Sequence, residues 1–280
     1  MYVANIKGRL ATSIDGKLAD VEQVSGGRFG SSPAAVYRRW IEFRAWGDNV
    51  GASGSPAEVP SGLGAPSPAP RQAFGIGLNY QDHVEESGLE VPDFPSTFCK
   101  FPSCIVGAED PVEVVGNTSD WEVELVVVIG RAAHNAKADE GWDYVAGLTV
   151  GQDLSERTRQ LAGSPPQFSL GKSFPGYGPT GPWLVTPDEV TDPADLPLRC
   201  FLDGEKVQES RTSQLIFSVP QLIEALSSIV TLLPGDLIFT GTPGGVGAAR
   251  SPQRFLRPGQ TLVSEIDGIG QLTTTLVGPS

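Results

Sequence analysis

Asp120-Trp121-Glu122-Val123-Glu124-Leu125-Val126-Val127-Val128-Ile129-Gly130 is an apolar, β-branched run with acids at its entrance. An extended chain places residues i and i+2 on one face, with Cα atoms roughly 6.6 Å apart, so Glu122 and Glu124 can aim both carboxylates at one point. The run behind them shows no polar alternation and reads as a strand buried on both faces. Two ionised carboxylates at the mouth of such a strand repel each other and are costly to bury without a cation. A solvated strand end would carry the same pair, and these two residues alone do not separate the readings. A third acid favours the first: Tyr144 to Val150 is a second apolar run, it ends in Gly151-Gln152-Asp153, and it could lie beside the first. Three oxygen ligands of this hardness suit Mg²⁺ or Mn²⁺, with Ca²⁺ also compatible, better than zinc.

The chain has 280 residues, enough for one large core or one core with a small appended module. Its 33 acids and 20 bases leave a net charge of −13, which repels a phosphate backbone, and no basic patch offsets it; nucleic acid is not an expected partner. No apolar segment approaches the roughly 20 residues that span a bilayer, so no membrane partner is expected either. The segment Met1 to Lys7 lacks a signal-peptide core, and the expected location is cytoplasmic. Cys99, Cys104 and Cys200 have no zinc spacing and read as reduced thiols, while two histidines, His83 and His134, are too few for an imidazole-rich zinc site.

Taken in order, Val3 to Leu10 and Ala11 to Ile14 read as short strands around the turn Asp15-Gly16, and Pro33 to Trp46 as a helix with aromatic residues at Tyr37, Trp40 and Phe43. Gly51 to Pro70 is rich in Gly, Pro, Ser and Ala and reads as a linker. The expected division is residues 1–70, a small N-terminal β-rich module with its linker, and residues 71–280, a catalytic domain. Gly75 and Gly77 lack the third glycine of a dinucleotide fingerprint and read as points of close backbone approach. In the short helical turn Gln81 to Ser87, a spacing of three sets His83 beside Glu86, although a solvated turn would look the same. Arg199 to Glu209 reads as a hairpin turning at Asp203-Gly204, and Val219 to Leu233 as a helix with a core-facing stripe. Strands outnumber helices without regular βαβ alternation, which points to an α+β fold with a large rolled mixed sheet. No Gly-x-Ser-x-Gly occurs, and the glycine-rich loop Thr240 to Gly247 lacks a phosphate-loop lysine; it reads as a segment whose backbone approaches substrate.

From Phe74 to Val277 the chain resembles the fumarylacetoacetate hydrolase family, in its bacterial acylpyruvate hydrolase and isomerase branch. Four blocks carry the resemblance: Gly77-Leu78-Asn79-Tyr80 with Asp82, His83 and Glu86; Trp121 to Leu125; Asp153-Leu154-Ser155 with Arg157 and Gln160, followed by Gly171-Lys172-Ser173; and Pro234-Gly235-Asp236 leading to Thr240 through Gly247. The resemblance implies a β-roll that forms a homodimer, and a divalent metal, Mg²⁺ or Mn²⁺, on Glu122, Glu124 and Asp153. It implies that His83 and Glu86 form a lid dyad activating water, that Lys172 is catalytic, and that Arg157, Gln160 and Thr242 bind a 2-oxo or β-diketo acid. The implied reaction is hydrolysis of a carbon-carbon bond in an acylpyruvate or fumarylpyruvate type substrate through an enolate stabilised by the metal. Alternatives on the same site are an isomerase, a tautomerase or an oxaloacetate-type decarboxylase; from another class, a non-catalytic 2-oxo-acid binder. Gln152 stands where many relatives carry Asn, Pro175 where many carry Asp, and the first metal acid of the eukaryotic namesake has no match.

Overall fold

Lys7-Gly8, Asp15-Gly16 and Asp203-Gly204 each lie between two paired strands and have φ between 50° and 81°. Two positive φ values in a row define the tight turn whose twist matches paired strands, so each pair closes a hairpin. The last joins Pro197–Leu202 to Glu205–Arg211, as the sequence predicts. The computed structural model describes residues 1–88 and 90–279.

The main sheet runs in the order Lys17–Asp20, Arg9–Ile14, Tyr2–Ile6, Gly178–Val185, Val145–Gln152, Val123–Ile129, Leu237–Phe239, Ala73–Gly77 and Ser96–Cys99. A second sheet holds Glu205–Arg211, Pro197–Leu202, Thr261–Ile266, Gly270–Val277 and Val112–Glu113. Every residue of Val123–Ile129 and of Val145–Gln152 is buried, as expected for a strand covered on both faces. Leu125, Val127, Ile129, Leu148 and Val150 pack in one core with Leu198, Cys200, Leu262 and Leu272 of the second sheet. Val126, Val128, Leu184 and Phe239 pack on the opposite face with Met1, Val3, Trp40, Phe43 and Trp46. The expected α+β architecture with a mixed sheet is therefore present. Among the described residues no helix is long and apolar enough to cross a membrane.

The boundary drawn at residue 70 falls within one hydrogen-bonded sheet. Tyr2 and Val3 pair with Val185 and Leu184, and Leu63 of the expected linker pairs with Ile6. The aromatic helix is shifted: one 3₁₀ turn, Val36–Arg39, precedes an α-helix, Trp40–Asn49, and Tyr37, Trp40 and Phe43 are buried on the sheet. The stripe helix spans Val219–Ser227, shorter than its apolar period suggests. Leu232 exchanges two backbone hydrogen bonds of 3.0 Å with Ala133, which extends the chain and leaves Ile229 71% exposed.

Register places the acids. Val123 pairs with Gln152 and Glu124 with Gly151, so Asp153 emerges at the same sheet end as Glu122 and Glu124. Leu237–Phe239 runs antiparallel to Val123–Ile129 and Ala73–Gly77 runs parallel to it, and both deliver their C-terminal ends there. The loop from Thr240 and the helix Gln81–Ser87 thus start beside the acids.

Candidate active site

Glu122, Glu124 and Asp153 are all buried, and one ligand atom from each lies within 4.8 Å of the others. The Asp153 amide donates to the Glu122 carbonyl at 2.9 Å, which fixes the third acid against the first. Gln152 reinforces the arrangement: its Oε1 accepts from the Glu122 amide at 2.8 Å while its Nε2 donates to Ser264 Oγ at 2.7 Å. Glu124 Oε2 accepts from the Gly241 amide at 2.8 Å, and its Oε1 has no hydrogen-bond partner among the described residues. Three converging carboxylates with a free oxygen on one of them fit a hard divalent cation.

Cations of the chain surround these acids. Lys172 Nζ donates to Glu122 at 2.8 Å, to Asp153 at 2.7 Å and to Ser155 Oγ at 2.7 Å. Arg157 donates to Glu122 at 2.6 Å, to Gln160 Oε1 at 2.9 Å and twice to Asp120 Oδ2, at 2.7 and 2.9 Å. Burial alone would raise the Glu122 carboxyl; Lys172 and then Arg157 outweigh it and hold Glu122 down at about 2. Burial, then the repulsion of Asp153 and Glu122, pushes Glu124 well above the usual carboxylate range. Glu124 is the acid with the most to gain from an added cation.

His83 and Glu86 line the same cleft. His83 Nδ1 and Glu86 Oε1 are 2.7 Å apart on the helix Gln81–Ser87, which ends at Gly88 with φ 66°. The Gly245 amide donates to Glu86 Oε2 at 2.8 Å, so the dyad carboxylate is anchored to the glycine-rich loop. The loop lines the cleft with Thr242 and Val246, and amides of the loop and of Ala248 just after it are directed to the chain's own carboxylates: Gly241 to Glu124, Gly245 to Glu86, and Gly247 and Ala248 to Asp120 at 2.7 and 2.9 Å. Gly241 and Gly245 have φ of 106° and 104°, backbone that a side chain would strain. Thr242 lines the cleft, but its hydroxyl is committed, donating to the Val123 carbonyl at 2.9 Å and accepting from Gln208 Nε2 at 2.8 Å.

A cleft of roughly 400 Å³ is lined by His83, Glu86, Glu122, Arg157, Gln160, Lys172 and Thr242 together. Of the three clustered acids Glu122 lines this cleft, and Glu124 and Asp153 each bring a carboxylate oxygen within 4.8 Å of one of its own. Three supporting residues went unassigned in the sequence. Lys100 is fully buried, and its Nζ donates to Asp153 Oδ1 at 2.6 Å, to the Tyr177 carbonyl at 3.0 Å and to the Lys172 carbonyl. A lone lysine between Phe98 and Phe101 was the available signal. Asp120 orients Arg157, and Gln208 reaches from the second sheet to accept from the Val123 amide at 3.0 Å. No local pattern marks either one. Gly75 does meet the expectation of close approach, since a Cβ there would collide with the Phe98 ring on the cleft wall.

The family model described as fumarylacetoacetate (FAA) hydrolase C-terminal matches residues 72–277. Oxaloacetate tautomerase fahd2, mitochondrial, of Xenopus laevis is 42% identical over 215 residues, covering 76% of this chain and 67% of that protein. A Mycobacterium smegmatis structure, provisionally assigned as an HpcE protein, shares 48% identity with a TM-score of 0.93 over 100% of both chains. Maleylpyruvate hydrolase from Sphingobium sp. SYK-6, solved in complex with manganese(II) ion and pyruvate, shares 26% identity with a TM-score of 0.80 over 100% of both chains.

Proposed function

Because this chain belongs to the fumarylacetoacetate hydrolase family, we propose that it is a metal-dependent hydrolase cleaving a carbon-carbon bond of an acylpyruvate-type β-diketo acid. The observation that carries the reading is the His83–Glu86 pair, anchored by Gly245, in the cleft that is also lined by Glu122 of the acid cluster. A binding protein needs the acids but has no use for an ordered base.

Glu122, Glu124 and Asp153 would hold the divalent cation, Mg²⁺ or Mn²⁺, which when bound supplies Lewis acidity toward the substrate carboxylate and its adjacent keto oxygen. Arg157 and Gln160, which line the cleft, would orient that carboxylate. Water is a poor nucleophile at neutral pH; Glu86, acting through His83, takes its proton as the oxygen bonds to the distal carbonyl carbon. The carbon-carbon bond breaks and its electron pair passes to the pyruvate half as an enolate. Lys172 offers positive charge where oxygen charge develops, and protonation of the enolate carbon yields pyruvate and a carboxylic acid.

The 42% identity to proteins named oxaloacetate tautomerases favours a second reading, in which the same groups move a proton between carbon and oxygen with no water attack. The two are separated by product analysis with acetylpyruvate, fumarylpyruvate and oxaloacetate in Mg²⁺ or Mn²⁺, for the wild type, Glu86→Ala and Glu122→Ala. Hydrolysis requires pyruvate from an acylpyruvate and its loss in both variants. Enol-to-keto conversion of oxaloacetate alone, with acylpyruvates untouched, would replace hydrolase by tautomerase.

A further inference from the structure

The far half of the cleft differs in chemistry from the acid end. All three hydrogens of Lys172 and of Lys100, and four of the five guanidinium N–H groups of Arg157, are directed to the acids or to atoms beside them. Beyond them the wall turns apolar at once. The Phe98 ring centroid is 5.0 Å from Lys172 Nζ, and Phe168 meets Phe98 edge-on at 6.2 Å. Leu78, Leu161, Val246 and Ala249 continue this wall. The other polar residues of the lining, Ser87 and Gln253, are neutral: Ser87 Oγ donates to the His83 carbonyl, and Gln253 Nε2 to the Ala248 carbonyl at 2.9 Å. No further Lys or Arg lines the cleft among the described residues, and the dyad adds the carboxylate of Glu86.

We infer that the substrate carries an uncharged, apolar group beyond its reacting carbonyl; the inference rests on the acylpyruvate reading and narrows it. An aliphatic or aryl tail removes apolar wall from water, whereas a terminal carboxylate would lie between aromatic rings and Glu86 with no cation to receive it. Acylpyruvates with neutral tails are therefore preferred over dicarboxylic ones such as fumarylpyruvate. The cleft also exceeds what a pyruvate unit fills, since its roughly 400 Å³ is within the range of sites for larger small molecules.

The test uses ligands that are not turned over. Oxamate reproduces the carboxylate and adjacent carbonyl of pyruvate, so oxamate, N-butyloxamate and N-(3-carboxypropyl)oxamate are titrated by calorimetry into the full chain with saturating Mn²⁺. N-butyloxamate is expected to bind about 10- to 100-fold tighter than the carboxypropyl ligand, the cost of an unpaired buried charge. Leu161→Arg, a change at a side chain that is 59% exposed, should narrow or invert that ratio by providing the missing cation. A carboxypropyl ligand that binds as tightly as the butyl one to the wild type, or a butyl tail that adds nothing to oxamate, overturns the inference while leaving the 2-oxo-acid site intact. Failure of all three ligands to bind removes both.

Discussion

Lys100 and Asp153 form an ion pair with no exposure on either side chain, and a second lysine, Lys172, holds the other oxygen of the same carboxylate. Such a pair is costly to assemble and more costly to break, because removing one partner leaves a buried charge with less compensation. Lys100→Met should therefore destabilise the protein by about 3 kcal/mol, at the low end for a broken buried pair because Lys172 still holds Asp153. Denaturant unfolding checks this: the midpoint should fall with little change in slope. A midpoint within error of the wild type would mean that Lys100 is not paying for the burial of Asp153. Local sequence could not reveal this dependence. Glu122 and Glu124 are legible because strand periodicity alone aligns them, whereas the partner of Asp153 lies 53 positions away and meets it only through folding.

At the scale of the element, the loop after Leu237–Phe239 joins the two halves of the site. Its glycines bring backbone amides to Glu124 and Glu86, and two of them require a left-handed φ that a side chain resists. A Cβ at Gly245 would also meet the Val207 carbonyl. Gly245→Ala is expected to displace Glu86 and lower turnover on the order of 100-fold, the effect of misplacing a catalytic group by about an ångström. Gly241 is untouched, so Mn²⁺ should raise the melting temperature of this variant by as much as that of the wild type. Undiminished turnover would show that the Gly245 amide does not position the dyad. The glycine-rich composition of this loop was readable in the sequence; its recipients were not, since three carboxylates on different elements receive its amides.

For the whole molecule, the acids form a cluster of like charge that the sheet holds together. Glu124→Gln keeps an oxygen for the Gly241 amide and removes repulsion with Glu122 and Asp153. Without metal this variant should be at least as stable as the wild type. With Mn²⁺ at about 100 times its dissociation constant, the wild type should gain about 2.7 kcal/mol, which the variant should largely lack. Thermal melts with and without Mn²⁺ decide the matter, and an equal gain in both proteins would remove Glu124 from the proposed cation site.

The sequence by itself determined the buried central strands, the hairpin at Asp203-Gly204, the α+β class and the i, i+2 and i, i+3 pairings of Glu122 with Glu124 and His83 with Glu86. These follow from short-range periodicity and turn chemistry, which any segment carries within itself. The tertiary structure decided that residues 2–20 extend the main sheet, that the helix from Val219 stops at Ser227, and that Lys100, Asp120 and Gln208 support the acids. The physical reason is register: one antiparallel pairing, Val123 with Gln152, sets which distant side chains share a sheet end, and hydrogen bonds between strands far apart in sequence leave no local trace.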